Sequence, residues 1–160
     1  MKPTPFVPVA FDQDERFVRN QTDDLVWHRS YNRTLYADTD RSQIVYHAHY
    51  LRYFEVGRAS LMRDFAFPYR EIERNGYVYP IIQCAVDFYS PLYYDDLMCI
   101  YTRPGKLERV KLNFDYIVTR SETEEIVCKG YTKHCATNSS SGKPVEIDEM
   151  TRRLWDEFPK

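Results

Sequence analysis

Long apolar runs and a basic leader are both missing from this 160-residue chain. No stretch approaches the ~18 consecutive apolar residues that a membrane-spanning helix requires. The first residues, MKPTPFVPVAFDQDERF, contain prolines and acids but no basic segment followed by an apolar core, which a secretory signal would have. The sequence therefore predicts no membrane span and no secretory signal, and we expect a cytoplasmic protein.

A strong net charge is also missing. The formal charge is −2 at pH 7, although 29% of the residues are charged and 43% are hydrophobic. This composition is typical of a globular chain, and the length suits one domain with a substantial core. Without a global basic field the chain is not expected to bind nucleic acid, so an anionic ligand must meet a local basic patch.

The spacing of a metal site is missing as well. No two cysteines form a C-x-x-C pair, and three lie in strand-like runs, so we expect buried free thiols in a reducing compartment. His47 and His49 are two positions apart, whereas helical metal ligands are usually four apart. The sequence thus predicts no metal site. The four cysteines are Cys84, Cys99, Cys128 and Cys135.

Hydrophobic periodicity divides the chain into an arm and a domain. Residues 1–22 show no period and predict an irregular N-terminal arm, which is followed by one domain over residues 23–160. From about His47 to Arg74, apolar residues recur at three- and four-residue steps, which predicts a helix buried on several sides. Pro68 is expected to end its first stretch.

The other segments alternate with a period of two. A first strand is predicted between Asp24 and Ala37, and four more follow the helix, joined by short turns such as Pro104-Gly105. The segment EIDEMTRRLWDEF predicts a terminal helix. The fold class is therefore α+β, with an antiparallel sheet and one long helix against its concave face.

One stretch makes a family recognisable. The run DTDRSQIVYHAHYLRYFE resembles the signature of the hot-dog-fold acyl-CoA thioesterases of the 4-hydroxybenzoyl-CoA thioesterase type, and YSPLYYDDLMCIYT and GKPVEID extend the resemblance. The resemblance implies a hot-dog fold, an acyl-CoA substrate, and no metal or redox cofactor. It also implies a homodimer or homotetramer with the active site between subunits.

The resemblance assigns roles to three neighbouring residues. Asp40 matches the family's catalytic aspartate, which attacks the acyl carbon or activates a water; the simpler alternative is an Asp that bonds only its own loop. The backbone N–H at His47 matches the oxyanion donor. Neither Tyr46 nor His47 is a residue that caps a helix, so free N–H groups are expected there. Tyr46 is a candidate pocket wall.

Basic residues near the turn RPGKLERVK are the candidate contacts for the phosphates of coenzyme A. We expect Arg109 and Lys111 to make them, although long basic side chains on a solvated hairpin are common. Glu55 is interpreted as an ordinary helical charge pair with Arg52 or Arg58. Gln43 stands where the family usually has glycine, a difference that matters if the backbone there needs a positive φ.

Two other functions are compatible with the residues. A hot-dog hydratase or dehydratase would use a His–acid pair, for which His47 and Glu55 are the candidates. A non-enzymatic acyl-CoA-binding protein is the other alternative. The signature around Asp40 favours a thioester hydrolase over both, without identifying the acyl group.

Overall fold

The chain folds around one antiparallel sheet and one long helix. A computed structural model describes residues 2–160. A short 3-10 helix at Tyr36–Asp38 precedes the first α-helix. In chain order the other elements are β1 (Pro8–Ala10), β2 (Phe17–Asn20), β3 (Val26–Arg33), α1 (His49–Asp64), α2 (Tyr69–Arg74), β4 (Tyr77–Val78), β5 (Ile81–Phe88), β6 (Leu97–Leu107), β7 (Lys111–Arg120), β8 (Ile126–Cys135), β9 (Thr137–Asn138) and α3 (Glu149–Glu157).

The main sheet has seven strands in the order β1-β2-β3-β6-β7-β8-β5, and every neighbouring pair is antiparallel. β5 therefore lies at one edge, and β4 pairs only with β9 in a separate ribbon. α1 packs against β3, β6 and β7. The α+β prediction is confirmed, and the arrangement is that of the hot-dog fold.

The predicted helical region is confirmed as two helices, but the first ends before Pro68 and not at it. α1 ends at Asp64, and α2 begins at Tyr69, directly after Pro68. Ala66 has a positive φ of 61°, and the Phe67 N–H donates to the carbonyl of Met62 at 3.2 Å, so the chain leaves the first helix before it reaches Pro68. The apolar positions of α1 face the sheet, where the ring of Phe54 stacks on Tyr116 at a centroid distance of 4.3 Å.

Two glycines allow α1 to lie close to the sheet. A Cβ on Gly57, in the middle of α1, would lie 2.5 Å from Thr102 Oγ1. A Cβ on Gly130, in β8, would lie 2.2 Å from the carbonyl oxygen of Ala85 and 2.8 Å from the ring of Phe54. Because real Cβ atoms do not approach so closely, the helix can occupy this position only if both residues lack a side chain.

The prediction of an irregular N-terminal arm is wrong. Residues 8–10 and 17–20 form β1 and β2, which extend the sheet beyond β3. The strands are too short to show a clear period in the sequence, and their pairing depends on β3. Phe6, just before β1, is 5% exposed and packs on the outer face of the sheet, the face opposite α1.

β5 is an exposed edge strand. Seven of its eight residues are exposed, including Ile81, Ile82 and Phe88, and only β8 pairs with it. Cys84 is exposed on this strand, whereas the other three cysteines are buried free thiols as expected. None of the helices within residues 2–160 has the length and hydropathy of a membrane span.

Candidate active site

Asp40 lies in a tight turn that leaves half of its carboxylate free. The Asp40 N–H donates to the carbonyl of Ile44 at 2.9 Å, and the Gln43 N–H donates to the carbonyl of Asp40 at 2.9 Å. The N–H of Ser42 donates to Asp40 Oδ1 at 2.7 Å. Oδ2 has no hydrogen-bond partner within the described chain. The turn thus orients the carboxylate and keeps one oxygen available.

The backbone of Gln43 adopts a left-handed conformation, with φ of 65°. This is the conformation that a glycine at the equivalent position in the resembled family implies. A residue with a Cβ is disfavoured there by about 1–2 kcal/mol. Glycine raises the entropy of the unfolded chain, which offsets part of the gain. We expect Gln43→Gly to raise the free energy of unfolding by about 0.5–1 kcal/mol in urea titrations. Gln43→Ala keeps the Cβ and should change it little; an equal gain in both variants would contradict this explanation.

Asp38 fastens this turn to α1. Its Oδ2 accepts hydrogen bonds from the Leu35 N–H and the Tyr53 hydroxyl, both at 2.9 Å, and its Oδ1 pairs with Arg52. Burial of the carboxyl opposes ionisation, but these donors outweigh it and hold the pKa of Asp38 below its usual value. The carbonyl of Asp38 also accepts from the Tyr46 N–H at 2.9 Å. Asp38 therefore has a structural environment.

The start of α1 carries no side-chain cap. Ala48 is the N-cap residue, and no side chain bonds the first amides. The helix begins at His49, two residues later than predicted, so His47 precedes it. The His47 N–H finds no acceptor among residues 2–160. Free N–H groups at this position suit a developing negative charge.

The structure brings Asp40 and His47 into one cavity of about 410 Å³, which we call the Asp40 cavity. The walls come from the Asp40 turn, the start of α1 and the segment that follows β5. The lining residues are Asp40, Ile44, Val45, His47, Tyr50, Phe88, Tyr89, Ser90 and Pro91.

Tyr50 and Phe88 form the aromatic wall of this cavity. Their rings meet edge to face at 5.1 Å. Burial raises the pKa of Tyr50 to about 12, so its phenol stays neutral at physiological pH. The sequence had singled out neither residue, although the resemblance of the segment YSPLYYDD, directly after Phe88, pointed to this part of the chain.

Tyr46 does not line the Asp40 cavity of its own chain. Its ring is 42% exposed and packs on His47, with a centroid distance of 4.3 Å. The ring of Tyr46 therefore contacts a lining residue of the cavity without lining the cavity itself.

Arg109 and Lys111 lie at the opposite end of the sheet from the Asp40 cavity. Lys111 pairs with Cys135 in β8, whereas Phe88 pairs with Cys128, roughly 23 Å away along the same strand. Arg109 is exposed and pairs with Glu146 at 3.1 Å. Within one chain the structure does not bring these two cations to Asp40.

A second cavity of about 300 Å³ lies between the three helices and the sheet, and we call it the Arg58 cavity. Its walls are mainly apolar, with Ala59, Phe114 and Leu154 among them. Glu55 and Arg58 also line it, and neither forms an ion pair within the described residues, so the predicted charge pair of Glu55 is wrong. The other lining residues are Met62, Phe67, Tyr69, Ile72, Tyr79, Ile81, Leu112, His134 and Thr151.

A chain of buried hydrogen bonds borders the Arg58 cavity. Arg58 Nη1 donates to the Tyr116 hydroxyl at 3.1 Å, which lies 2.9 Å from Thr132 Oγ1. Thr132 Oγ1 is 2.8 Å from His134 Nε2, and His134 Nδ1 is 3.0 Å from the carbonyl of Tyr79. That carbonyl can only accept, so Nδ1 carries the proton and Nε2 accepts from Thr132. Each group in this series of hydrogen bonds therefore donates to the next, from Arg58 at one end to the carbonyl of Tyr79 at the other.

No cluster of three or more His, Cys, Asp or Glu residues with the geometry of a metal site occurs among the described residues. The arrangement around Asp40 instead offers a carboxylate and a free amide, which is what acyl transfer from a thioester requires.

An antiparallel sheet around one long helix, with a carboxylate near the uncapped start of that helix, is the architecture of the hot-dog thioester hydrolases. The family model of the thioesterase-like superfamily matches residues 34–154. The chain belongs to this superfamily and is a thioester hydrolase.

Individual relatives support this membership. A 1,4-dihydroxy-2-naphthoyl-CoA hydrolase of Nostoc punctiforme is 30% identical over 128 residues, 78% of this chain and 85% of that protein. The crystal structure of a hypothetical protein from Aquifex aeolicus superposes with a TM-score of 0.74 at 30% identity, over 79% of this chain and 97% of that chain. A 1,4-dihydroxy-2-naphthoyl-CoA thioesterase from Synechocystis shares the fold, with a TM-score of 0.76 at 16% identity over 81% of this chain and 96% of that chain.

Proposed function

We propose that this protein hydrolyses an acyl-CoA thioester in the Asp40 cavity. The observation that supports this most directly is that Asp40, which has a carboxylate oxygen without a hydrogen-bond partner, and His47, whose backbone N–H has no acceptor among residues 2–160, both line the same cavity. A thioester carbonyl bound between them would meet an attacking group on one side and a hydrogen-bond donor on the other.

Asp40 acts as base or nucleophile in this proposal. As a base it takes a proton from water, whose oxygen attacks the acyl carbon; as a nucleophile its own oxygen attacks, and water later hydrolyses the resulting anhydride. In both routes the C–S bond breaks and the thiolate of coenzyme A leaves and is protonated. The His47 N–H stabilises the oxyanion formed from the carbonyl.

Proline at position 47 removes the proposed oxyanion donor. We expect His47→Pro to lower kcat by about 10²–10³-fold, the usual effect of losing one such donor. His47→Ala keeps the N–H and removes only the imidazole, so it should retain most of the wild-type rate. Thiol release by both variants, together with circular dichroism to confirm folding, gives the measurement. Unchanged turnover in His47→Pro would exclude this role for the amide.

The exposed edge of β5 supports a dimer. An unpaired strand with apolar side chains is a template for another strand, and natural proteins usually cover such an edge. Pairing β5 with the same strand of a second copy gives a self-complementary, two-fold interface. We propose this dimer as the functional unit.

In such a dimer the Asp40 cavity of one chain lies next to the Arg58 cavity of the other. Antiparallel pairing centred near Cys84 and Ala85 places Ile81 of one chain opposite Phe88 of the partner subunit. Ile81 lines the Arg58 cavity and Phe88 lines the Asp40 cavity. A thioester held at Asp40 would then extend its acyl group into the Arg58 cavity of the other chain, so each active site needs both chains.

The lining of the Arg58 cavity favours an aromatic acyl group that carries a hydroxyl. Its volume of about 300 Å³ suits a small ring system, and Phe114 and Tyr79 provide aromatic walls. A phenolic hydroxyl could donate to the carboxylate of Glu55 and accept from Arg58, whose remaining N–H groups have no acceptor in residues 2–160. The name of the Nostoc relative specifies an acyl group of this hydroxylated aromatic class.

Arg109 and Lys111 enter the proposal only through the partner subunit. Because they lie at the far end of the sheet in their own chain, they approach an Asp40 cavity only across the β5 interface. There their charges could meet the phosphates of coenzyme A.

The hydratase alternative loses support from the geometry. It requires a His–acid pair, but His47 and Glu55 line different cavities of the chain. No observation favours this chemistry over hydrolysis.

Mixing two inactive variants tests the shared active site. Ala59→Phe should fill the Arg58 cavity and lower kcat/KM for a hydroxybenzoyl-CoA about 10–200-fold, while acetyl-CoA, if turned over at all, loses little. Asp40→Asn should be inactive towards both. A co-expressed heterodimer then contains one intact site, built from Asp40 of one chain and the cavity of the other. Activity towards the aromatic substrate should therefore return to about one quarter of the wild-type level in a random mixture of dimers.

The outcomes separate the parts of the proposal. No recovery on mixing, with both single variants folded, contradicts an active site shared across the interface. Equal losses for aromatic and acetyl substrates in Ala59→Phe contradict the assignment of the acyl cavity. Wild-type protein that releases no thiol from hydroxylated aromatic, plain aromatic or aliphatic acyl-CoAs contradicts the proposed function itself.

A further inference from the structure

Residues 2–7 lie across the outer face of the sheet, and hydrogen bonds to their backbone groups hold them there. Lys129 Nζ donates to the carbonyl of Thr4 at 3.2 Å, and the Thr22 hydroxyl donates to the carbonyl of Pro5 at 2.8 Å. The Val7 N–H donates to Asn20 Oδ1 at 2.9 Å, and the Val7 carbonyl accepts from the Gln21 N–H at 3.0 Å. This segment is therefore an ordered part of the domain surface.

Phe6 closes a second hydrophobic core on that face. Its ring lies 4.4 Å from Tyr101 and meets Trp27 edge to face at 6.2 Å. The members of this outer-face cluster are at most 6% exposed, and the Phe6 ring is the part of the N-terminal segment that packs among them. The cluster consists of Phe6, Val18, Trp27, Cys99, Tyr101, Ile117 and Ile126.

The cover lies outside the part of the chain that the family model matches. The superfamily match begins at residue 34, so residues 2–7, β1 and β2 all lie before it. The Aquifex structure is superposed over 97% of its length but only 79% of this chain. The extension therefore covers a face whose strands β6, β7 and β8 belong to the shared fold.

We propose that residues 2–7 prevent two copies of this protein from stacking through the outer faces of their sheets. Without Phe6, the rings of Trp27 and Tyr101 would join Ile117 and Ile126 in one exposed apolar patch. Such a patch on the outer face of a sheet can pair with the same patch of a second copy about a two-fold axis and suits face-to-face packing of two sheets. The arm occupies this surface within its own chain, so a second copy cannot pack there, while the edge strand β5 stays exposed.

Sedimentation velocity of arm variants tests the proposal over a range of protein concentrations. Deletion of residues 2–7 should double the particle mass relative to wild type as the concentration rises. Phe6→Ala should shift the same equilibrium more weakly. Val7→Ala is the matched control, because the Val7 side chain is 41% exposed and Val7 bonds Asn20 and Gln21 only through its own backbone atoms.

Thiol labelling locates the new contact. Cys99 belongs to the outer-face cluster and is 2% exposed in the covered state. In a Cys84→Ser background, the deletion should make Cys99 reactive in dilute solution, and association at higher concentration should protect it again. Protection at high concentration together with doubled mass supports stacking through this face.

The criterion is the mass ratio of variant to wild type, so the result does not depend on whether β5 forms the proposed dimer. Folded deletion protein with the wild-type mass at every concentration overturns the proposal, as does doubled mass with Cys99 still reactive. If the deletion prevents folding, Phe6→Ala decides: an unchanged mass at the highest concentration, with Cys99 unprotected, overturns it as well.

Discussion

Asp40→Asn is expected to lower kcat/KM for thiol release by about 10²–10⁴-fold, the usual contribution of a positioned base. The asparagine Oδ1 can still accept the Ser42 N–H, so the turn that carries residue 40 should keep its shape. The variant therefore removes the charge and the proton acceptor while leaving the cavity intact. Steady-state kinetics on one acyl-CoA, with wild type measured in parallel, gives the result.

Asp38→Asn is the informative control for this experiment. Asp38 is 2% exposed and accepts hydrogen bonds from Leu35 and Tyr53, so its loss should lower the free energy of unfolding. Asp40→Asn should leave that free energy nearly unchanged. Undiminished turnover in Asp40→Asn would move the chemistry to another carboxylate, and Glu55 would be the next to test.

Acidification should destabilise the protein strongly through the buried side chain of His134. Burial, reinforced by the charge of Arg58, lowers the pKa of His134 to about 4. Between that value and the unfolded value of 6.5 the unfolded chain binds a proton that the folded chain does not. Stability is therefore full above pH 6.5 and falls as the pH drops towards 4, by about 3 kcal/mol from this one group.

Urea titrations at neutral and acidic pH, at one protein concentration, measure this loss. His134→Gln removes the titrating ring and should show a smaller decrease between the two conditions than wild type. His47→Gln removes an exposed imidazole instead and should retain the wild-type decrease. Carboxylates with a lowered pKa, such as Asp14 and Asp38, weaken the fold in acid in all three proteins. The informative quantity is therefore the difference between the three proteins in the free energy of unfolding lost on acidification. Equal decreases in wild type and His134→Gln would contradict the assignment.

Much of the fold could be predicted because its signals are local. The three- and four-residue spacing in α1 and the alternation of Leu112, Phe114 and Tyr116 each reflect which face of an element meets the core. The first two strands gave no such signal. They contain three and four residues, and their pairing depends on distant contacts with β3.

In the candidate site, too, the residues that are close in sequence could be predicted to lie together, and the distant ones could not. Asp40 and His47 were found because they lie within one short stretch whose turn and helix start keep them together. Arg109, Lys111 and Glu55 were assigned from their charge, and charge alone does not show which cavity a side chain meets. β5 belongs to the segments that were predicted to alternate, but the exposure of its apolar residues in the single chain appears only once the sheet order is known.

The absence of a side chain at Gly57 has a mechanical consequence. A Cβ there would come within 2.6 Å of Ile100 as well as meeting Thr102, so turning α1 by one residue would drive a neighbouring side chain into the sheet. α1 can therefore pack on the sheet in only one rotation about its own axis. The uncapped start of α1 is thereby held in one position relative to the sheet.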